Sequence, residues 1–217
     1  GEMLDNVGDL LVLAVKPQQM KAAVAPLVGK LGNAVVVGIA AGLDLATLAR
    51  FLGGHRKIVR CMPNTPALIG AGITGLCPLP EVSAAEREAA DCVLSAVGST
   101  VWIDNEGRMD GVTALSGSGP AYVFLFIEAL QQAAADLGFT PEQGRQLAIE
   151  TVQGAAALAA QSDEPASVLR ERVTSKGGTT EAALNTMAEK CVKEGIIAGV
   201  KAAETRGREL GKLLGAG

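Results

Sequence analysis

"DLLVLAV", residues 9–15, runs straight into Lys16-Pro17, and its reading decides the fold class. An unbroken aliphatic run, without polar alternation, is the pattern of a strand covered on both faces, and such strands belong to parallel sheets flanked by helices. The pattern recurs. Residues 34–39, "AVVVGI", form a second run that ends in Ala40-Ala41-Gly42, and residues 57–62, "KIVRCM", form a third, stopped by Pro63. Residues 73–77 and 100–103 are weaker fourth and fifth candidates. Helical spacing lies between them, over 18–28, over 44–52 with Asp44 placed to cap, and over 83–96, where Ser83-Ala-Ala-Glu86 is a capping box and Gly98 closes the segment. Strands alternating with helices predict a parallel, doubly wound sheet.

Beyond about residue 106 the texture changes. Alanine-rich helical patterns cover 120–137, 141–160, 180–193 and 194–214, with Pro120 and Pro141 suited to first turns and Gly138 to a C-terminal cap. The boundary is placed at residues 106–111. It separates an α/β domain (1–106) from an all-helical domain (107–217). Residues 154–160 and 195–199 are small-sided, so helices can approach closely on several sides. A homodimer would supply the second side.

Apolar residues make up 48% of the 217 and charged ones 19%, which suits a packed globular chain rather than a disordered one. A net charge of −4 gives no general attraction to nucleic acid or anionic membrane. The longest unbroken apolar run, residues 34–43, is too short to span a bilayer, and no signal peptide is visible, so a cytoplasmic protein is expected. Cys61, Cys77, Cys92 and Cys191 show no metal spacing and His55 lies far from any pair of them, so no metal site is expected and the cysteines read as reduced, buried and inert.

Ligands of open α/β sheets bind at the carboxyl ends of strands. Leu13–Gln18 and Gly38–Leu43 occupy two such ends; a strand-terminating turn and plain packing are the competing readings. "CMPNTPALIGAGITGL", residues 61–76, places two prolines around an Asn-Thr and then Gly70-Ala-Gly72, special residues that favour a functional loop over a plain connection. "LSGSGPAYVF", residues 115–124, places Ser116-Gly-Ser118-Gly119 before Pro120, which suggests N–H groups and hydroxyls gathered at a helix start. It lacks the preceding strand and the histidine of a serine hydrolase. In "RVTSKGGTTEAAL", residues 172–184, a Gly-Gly turn precedes a helix that Thr179 or Thr180 would cap. Together the two motifs suggest two helix N-termini gripping one small anion.

"VKPQ", "MPNTPALIGAGITGL", "LSGSGPAY" and "VTSKGGTTEAAL", in this order and spacing, resemble the pyrroline-5-carboxylate reductases, through nearly the whole chain. The resemblance implies a Rossmann-like domain followed by an all-helical dimerisation domain that interlocks in a dimer, often within a ring of dimers. It implies that NADPH or NADH delivers a hydride to the C=N carbon of 1-pyrroline-5-carboxylate, giving L-proline. Ala14, Val15, Lys16, Pro17, Ile39, Ala40 and Ala41 would line the cofactor, with Arg172 also touching it. Thr179 and Thr180 would hold the substrate, Thr180 orienting the imine nitrogen as the catalytic residue. Glu106 would lie nearby, and Ser175, Gly177 and Gly178 would shape the carboxylate pocket. No nucleophile is needed.

Three departures from the family accompany these expectations. The glycine-rich dinucleotide fingerprint is absent, and its strand would precede residue 1, so the sequence is expected to be incomplete. Lys176 stands where the family commonly has proline, adding a positive charge. Arg172 stands where it often has an amide. The competing readings are another reductase of similar build, of the 3-hydroxyacid dehydrogenase or imine reductase type, and a helical dimerisation scaffold without a cofactor site.

Overall fold

The computed structural model describes residues 8–215. They form two compact units: one runs up to Pro120 and resumes at Val200, and the other is Ala121–Gly199.

The first unit is built on a five-stranded sheet in the order β1 (Leu10–Leu13), β2 (Val35–Gly38), β3 (Ile58–Met62), β4 (Gly72–Pro78), β5 (Gly98–Trp102). All five expected strands are present. β1, β2 and β3 are mutually parallel, as are β4 and β5, but β3 pairs antiparallel to β4. Chain length explains this departure from an all-parallel sheet. Only nine residues separate Met62 from Gly72, too few for a helical crossover, which needs at least about ten to twelve. The chain instead turns back through a 3-10 turn at Thr65–Ile69, closed by Gly70 with φ 72°. The β4–β5 link is long enough for helix α3 (Ala84–Ser95), and that pair is parallel.

β2 is buried along its whole length. Val36 joins Leu13, Met20, Leu48, Ile58 and Met109 on one face, while Val35 and Val37 join Val59, Leu76, Ala90 and Leu94 on the other. Two buried faces are why its sequence shows no alternation. Helices α1 (Met20–Val24) and α2 (Leu45–Phe51) belong to the first face. The expected 18–28 helix is a single α turn flanked by 3-10 turns, because Pro26 cannot continue the ladder. Asp44 caps α2 by accepting from the Thr47 N–H at 2.7 Å, and Ser83 and Glu86 form the expected capping box.

A short helix, α4 (Met109–Val112), passes through a wide turn at Thr113–Gly117 directly into α5 (Gly119–Asp136). Ser118 N–H donates five residues back, to Thr113 C=O at 2.8 Å, the mark of a π-turn. Length and composition alone would let the 31 residues Glu106–Asp136 cross a bilayer, which unbroken apolar runs did not reveal.

The second unit contains the rest of α5, α6 (Pro141–Ala160), α7 (Ala166–Arg172), α8 (Thr179–Glu189) and the start of α9 (Val192–Gly215). α7 is unannounced in the sequence. α8 stops four residues early, where Cys191 takes φ 54°. Among the described residues of this unit only Ala134, Gly144 and Ala148 are buried. The final turns of α9 return to the first unit: Leu214 packs with its core, and Arg50 donates to Gly215 C=O at 2.6 Å. Compactness therefore divides the chain after Pro120 and again before Val200, whereas composition places one boundary at 106.

Cys61 and Cys77 are buried, and burial pushes both thiols above their ordinary range. Cys92 and Cys191 are exposed, so the expectation that all four are buried is corrected.

Candidate active site

Because β1 and β2 are parallel, their carboxyl ends share one edge. Ile39 N–H donates to Leu13 C=O at 3.2 Å, which sets the turn Ala14–Pro17 beside Ile39–Ala41. Lys16 is exposed and caps nothing with its side chain. Gly42 follows with φ 78°, a conformation in which Leu214 also leaves little room for a Cβ. The seven residues Ala14, Val15, Lys16, Pro17, Ile39, Ala40 and Ala41 are thus brought together. Small side chains and an exposed cation on this edge suit the flat ring and sugar of a nucleotide.

Glu106 belongs to the same unit. Its Oε1 accepts from Leu45 N–H at 2.6 Å and from Arg60 Nη1 at 3.1 Å. The carboxylate holds the start of α2, just past the Ile39–Ala41 turn, and balances an arginine that is only 7% exposed. Asp110 completes the cluster at 3.4 Å from Arg60 Nη2. Nothing in the sequence pattern pairs these three residues.

The reading of Ser116-Gly-Ser118-Gly119 as a helix N-terminus is corrected. The motif lies inside a continuous helical path, so its N–H groups are not a free helix start. Ser116 Oγ donates to Val112 C=O at 2.9 Å and Thr113 Oγ1 to Met109 C=O at 3.0 Å. The pair of helix N-termini is reduced to one, that of α8.

That helix start lies in the second unit. Its N-cap is Gly178, in an extended conformation, with no side-chain cap, so neither Thr179 nor Thr180 caps the helix. Gly177 has φ 74°, Gly178 N–H donates to Ser175 C=O at 3.0 Å, and Gly177 N–H donates to Glu181 Oε2 at 2.7 Å. The first intrahelical bond is Ala182 N–H to Gly178 C=O, at 3.2 Å. The N–H groups of Thr179, Thr180 and Glu181 precede it and carry the positive end of the helix. Thr174 and Thr186 donate their hydroxyls to carbonyls four residues back; among the described residues Thr179 and Thr180 make no such bond. Ser175, Gly177, Gly178, Thr179 and Thr180 are therefore gathered around one helix start. Arg172 ends α7 and forms a bidentate pair with Glu164, with Nη2 to Oε1 at 2.6 Å. A cleft of about 690 Å3 between α7, α8 and α9 includes Thr174 and Glu181 but none of residues 175–180.

Small-residue turns at parallel strand ends, in a chain that continues into an all-helical unit, are the build of a nucleotide-binding α/β protein, and this chain is of that class. Comparison narrows it. The pyrroline-5-carboxylate reductase dimerisation family matches residues 106–210. A pyrroline-5-carboxylate reductase of Pseudomonas aeruginosa is 45% identical over 208 residues, covering 95% of this chain and 76% of that one. The crystal structure of the Coxiella burnetii pyrroline-5-carboxylate reductase superposes with a TM-score of 0.89 at 40% identity, covering 93% of this chain and 76% of that one. The Plasmodium falciparum pyrroline carboxylate reductase, solved with NADP bound, gives 0.85 at 32% identity, covering 94% and 77%. The chain belongs to the pyrroline-5-carboxylate reductase family.

Proposed function

We infer that the protein reduces the C=N bond of 1-pyrroline-5-carboxylate to give L-proline, with NADPH or NADH as the hydride source. The observation that carries this reading is the α8 helix start: three N–H groups without an internal acceptor, two threonine hydroxyls free of backbone partners among the described residues, and a glycine turn open enough for a compact carboxylate. In it, the N–H groups of Thr179, Thr180 and Glu181 bind the substrate carboxylate, and Thr180 Oγ1 orients the ring nitrogen. Lys176, on the same turn, adds long-range attraction for an anion. Ser175 and Gly178 hold the turn's shape through their backbone bond.

The edge of Ala14–Pro17 and Ile39–Ala41 fits a nicotinamide nucleotide, since Ala14, Ala40 and Ala41 let a ring approach the backbone and the exposed Lys16 can offer its ammonium to a phosphate or ribose. When bound, the cofactor supplies the hydride. Glu106 then acts on the site through α2, whose first turn it anchors. Arg172 is engaged by Glu164, and a role for it toward the cofactor would require releasing that carboxylate.

The exposed apolar face of the second unit supports a homodimer, and a ring of dimers in the cytoplasm belongs to the same proposal. Phe124 and Leu125 on α5, and Ile196 on α9, are 57–66% exposed, and Tyr122, Phe126, Val152, Ala155, Ile196 and Gly199 border an apolar cleft of about 640 Å3. A unit with so few buried residues needs a partner to bury its helices. A second copy accounts for this face, and for the apolarity of Glu106–Asp136, better than lipid does, because residues 106–210 match a dimerisation family. The test is NADPH oxidation by the full-length protein with 1-pyrroline-5-carboxylate. Turnover with a 2-hydroxy acid but not with the imine would move the assignment to the hydroxyacid enzymes.

A further inference from the structure

Pro120 sits in the first turn of α5 but is not at a chain-level helix start, because α4 and the π-turn precede it. It has no N–H, so the carbonyl four residues back, that of Ser116, loses its ordinary intrahelical donor. That carbonyl is occupied. Asn64 Nδ2 donates to Ser116 C=O at 3.2 Å, while Asn64 Oδ1 accepts from Ile73 N–H at 2.9 Å. One carboxamide thus ties the π-turn to the opening of β4, from a position two residues past the carboxyl end of β3. Packing points to the same place. A Cβ on Gly117 would lie 2.7 Å from Met62 Cε, and one on Gly75 would lie 2.7 Å from Val112 Cγ1. Met62 and Gly75 are themselves register partners across β3 and β4. The α4–π-turn segment therefore lies on the end of β3, the third parallel strand along the edge where the Ala14–Pro17 and Ile39–Ala41 turns emerge.

We propose that Asn64 is a positioning residue for the reductase: its carboxamide holds the Thr113–Gly117 turn in its wide form at the carboxyl edge of the parallel strands, by taking the Ser116 carbonyl that Pro120 leaves without a donor. The proposal rests on the reductase reading for its link to turnover, but the geometry it asserts can be measured without any activity. In this role Asn64 touches no reacting atom. It acts through the backbone of residues 113–118, which lies on the carboxyl end of β3.

The decisive comparison uses Asn64→Ala, Pro120→Ala and the double variant, in the full-length protein. Asn64→Ala removes the donor, so kcat is expected to fall by about 10- to 100-fold, the scale of a misplacement near 1 Å, with NADPH affinity by fluorescence titration unchanged and Tm lowered. In the double variant the Pro120→Ala change restores a backbone N–H that can satisfy the Ser116 carbonyl from within the helix. Tm is then expected to recover while kcat stays low, because the turn is free to regularise. A crystal structure of the double variant is expected to show Ser118 N–H bonded four residues back rather than five. Asn64→Ser, a milder cut, is measured alongside, so that a variant that fails to fold does not decide the matter. Recovery of kcat together with Tm, or no loss of kcat in Asn64→Ala, or a π-turn that persists in the double variant would overturn the proposal. An unaltered protein inactive on the imine would instead overturn the reductase reading, and the structure of the double variant would still judge the role of Asn64.

Discussion

Glu106→Gln separates a structural carboxylate from a substrate-binding one. The amide still offers Oε1 to Leu45 N–H but as a neutral acceptor. A hydrogen bond to a charged group contributes about 1.5–3 kcal/mol and a neutral one about 1, so this contact loses about 1 kcal/mol. Arg60, with a side chain 9% exposed, keeps Asp110 at 3.4 Å as its one ionised partner among the described residues. Stranding a buried charge completely costs about 3–5 kcal/mol; with one acid retained, and Glu106 itself 31% exposed, about 1–2 is expected. The sum is about 2–3 kcal/mol. Trp102, the single tryptophan, sits on β5 beneath the Arg87 guanidinium, so its fluorescence in urea reports the first unit alone. Asp110→Asn should cost less, about 1 kcal/mol, as its contact is longer. Arg60→Met combined with Glu106→Gln should cost less than the two single changes added together, since the pair is coupled. A Glu106→Gln protein within about 0.5 kcal/mol of the unaltered one, the scatter of an ordinary surface change, would refute the reasoning. Lost turnover with that unchanged stability would return Glu106 to the substrate.

Other outcomes follow from single contacts. Glu86 is held down to a pKa of about 2, first by the hydrogen bond from Lys57 and then by Ser83; a folded-state value below the unfolded one stabilises above pH of about 4.5 and is lost as pH falls towards about 2. Lys57→Met should therefore flatten the decline of the urea midpoint across that window, and an unchanged slope would count against the pair. Gly75→Ala should destabilise by about 1–3 kcal/mol through the clash with Val112, as overpacking does, and Val112→Ala should relieve it in a denaturation series. Thr180→Ala should lower kcat for the imine by about 10-fold or more, as loss of an orienting contact does, and leave the thermal midpoint within a degree or two; a loss of stability alone would make Thr180 a helix residue and nothing more.

How much of this the sequence disclosed varies with the range of the interaction. The five strands were legible because burial on both faces leaves a continuous aliphatic signature, and Asp44 and Ser83 because capping is local. The antiparallel return at β4 was implicit in the nine-residue link after Met62. The Gly177-Gly178 turn was legible, but the capping residue was not, since Gly178 caps with no side chain at all. The Ser116–Gly119 motif misled because helix starts and π-turns share serine, glycine and proline; what distinguishes them here is Asn64, 52 residues from Ser116 in sequence. The Arg60–Glu106–Asp110 cluster was hidden for the same reason, as was the return of α9 to the first unit.

That return bears on how the protein is made. The helical unit is an insertion in the chain order of the α/β unit, and Leu214 and Gly215 supply part of the latter's packing. During synthesis the sheet emerges first but must wait, with the groove beside α2 uncovered, until the closing turns of α9 have left the ribosome. A nascent chain stalled before the closing turns of α9 would leave uncovered the core surface that Leu214 packs against.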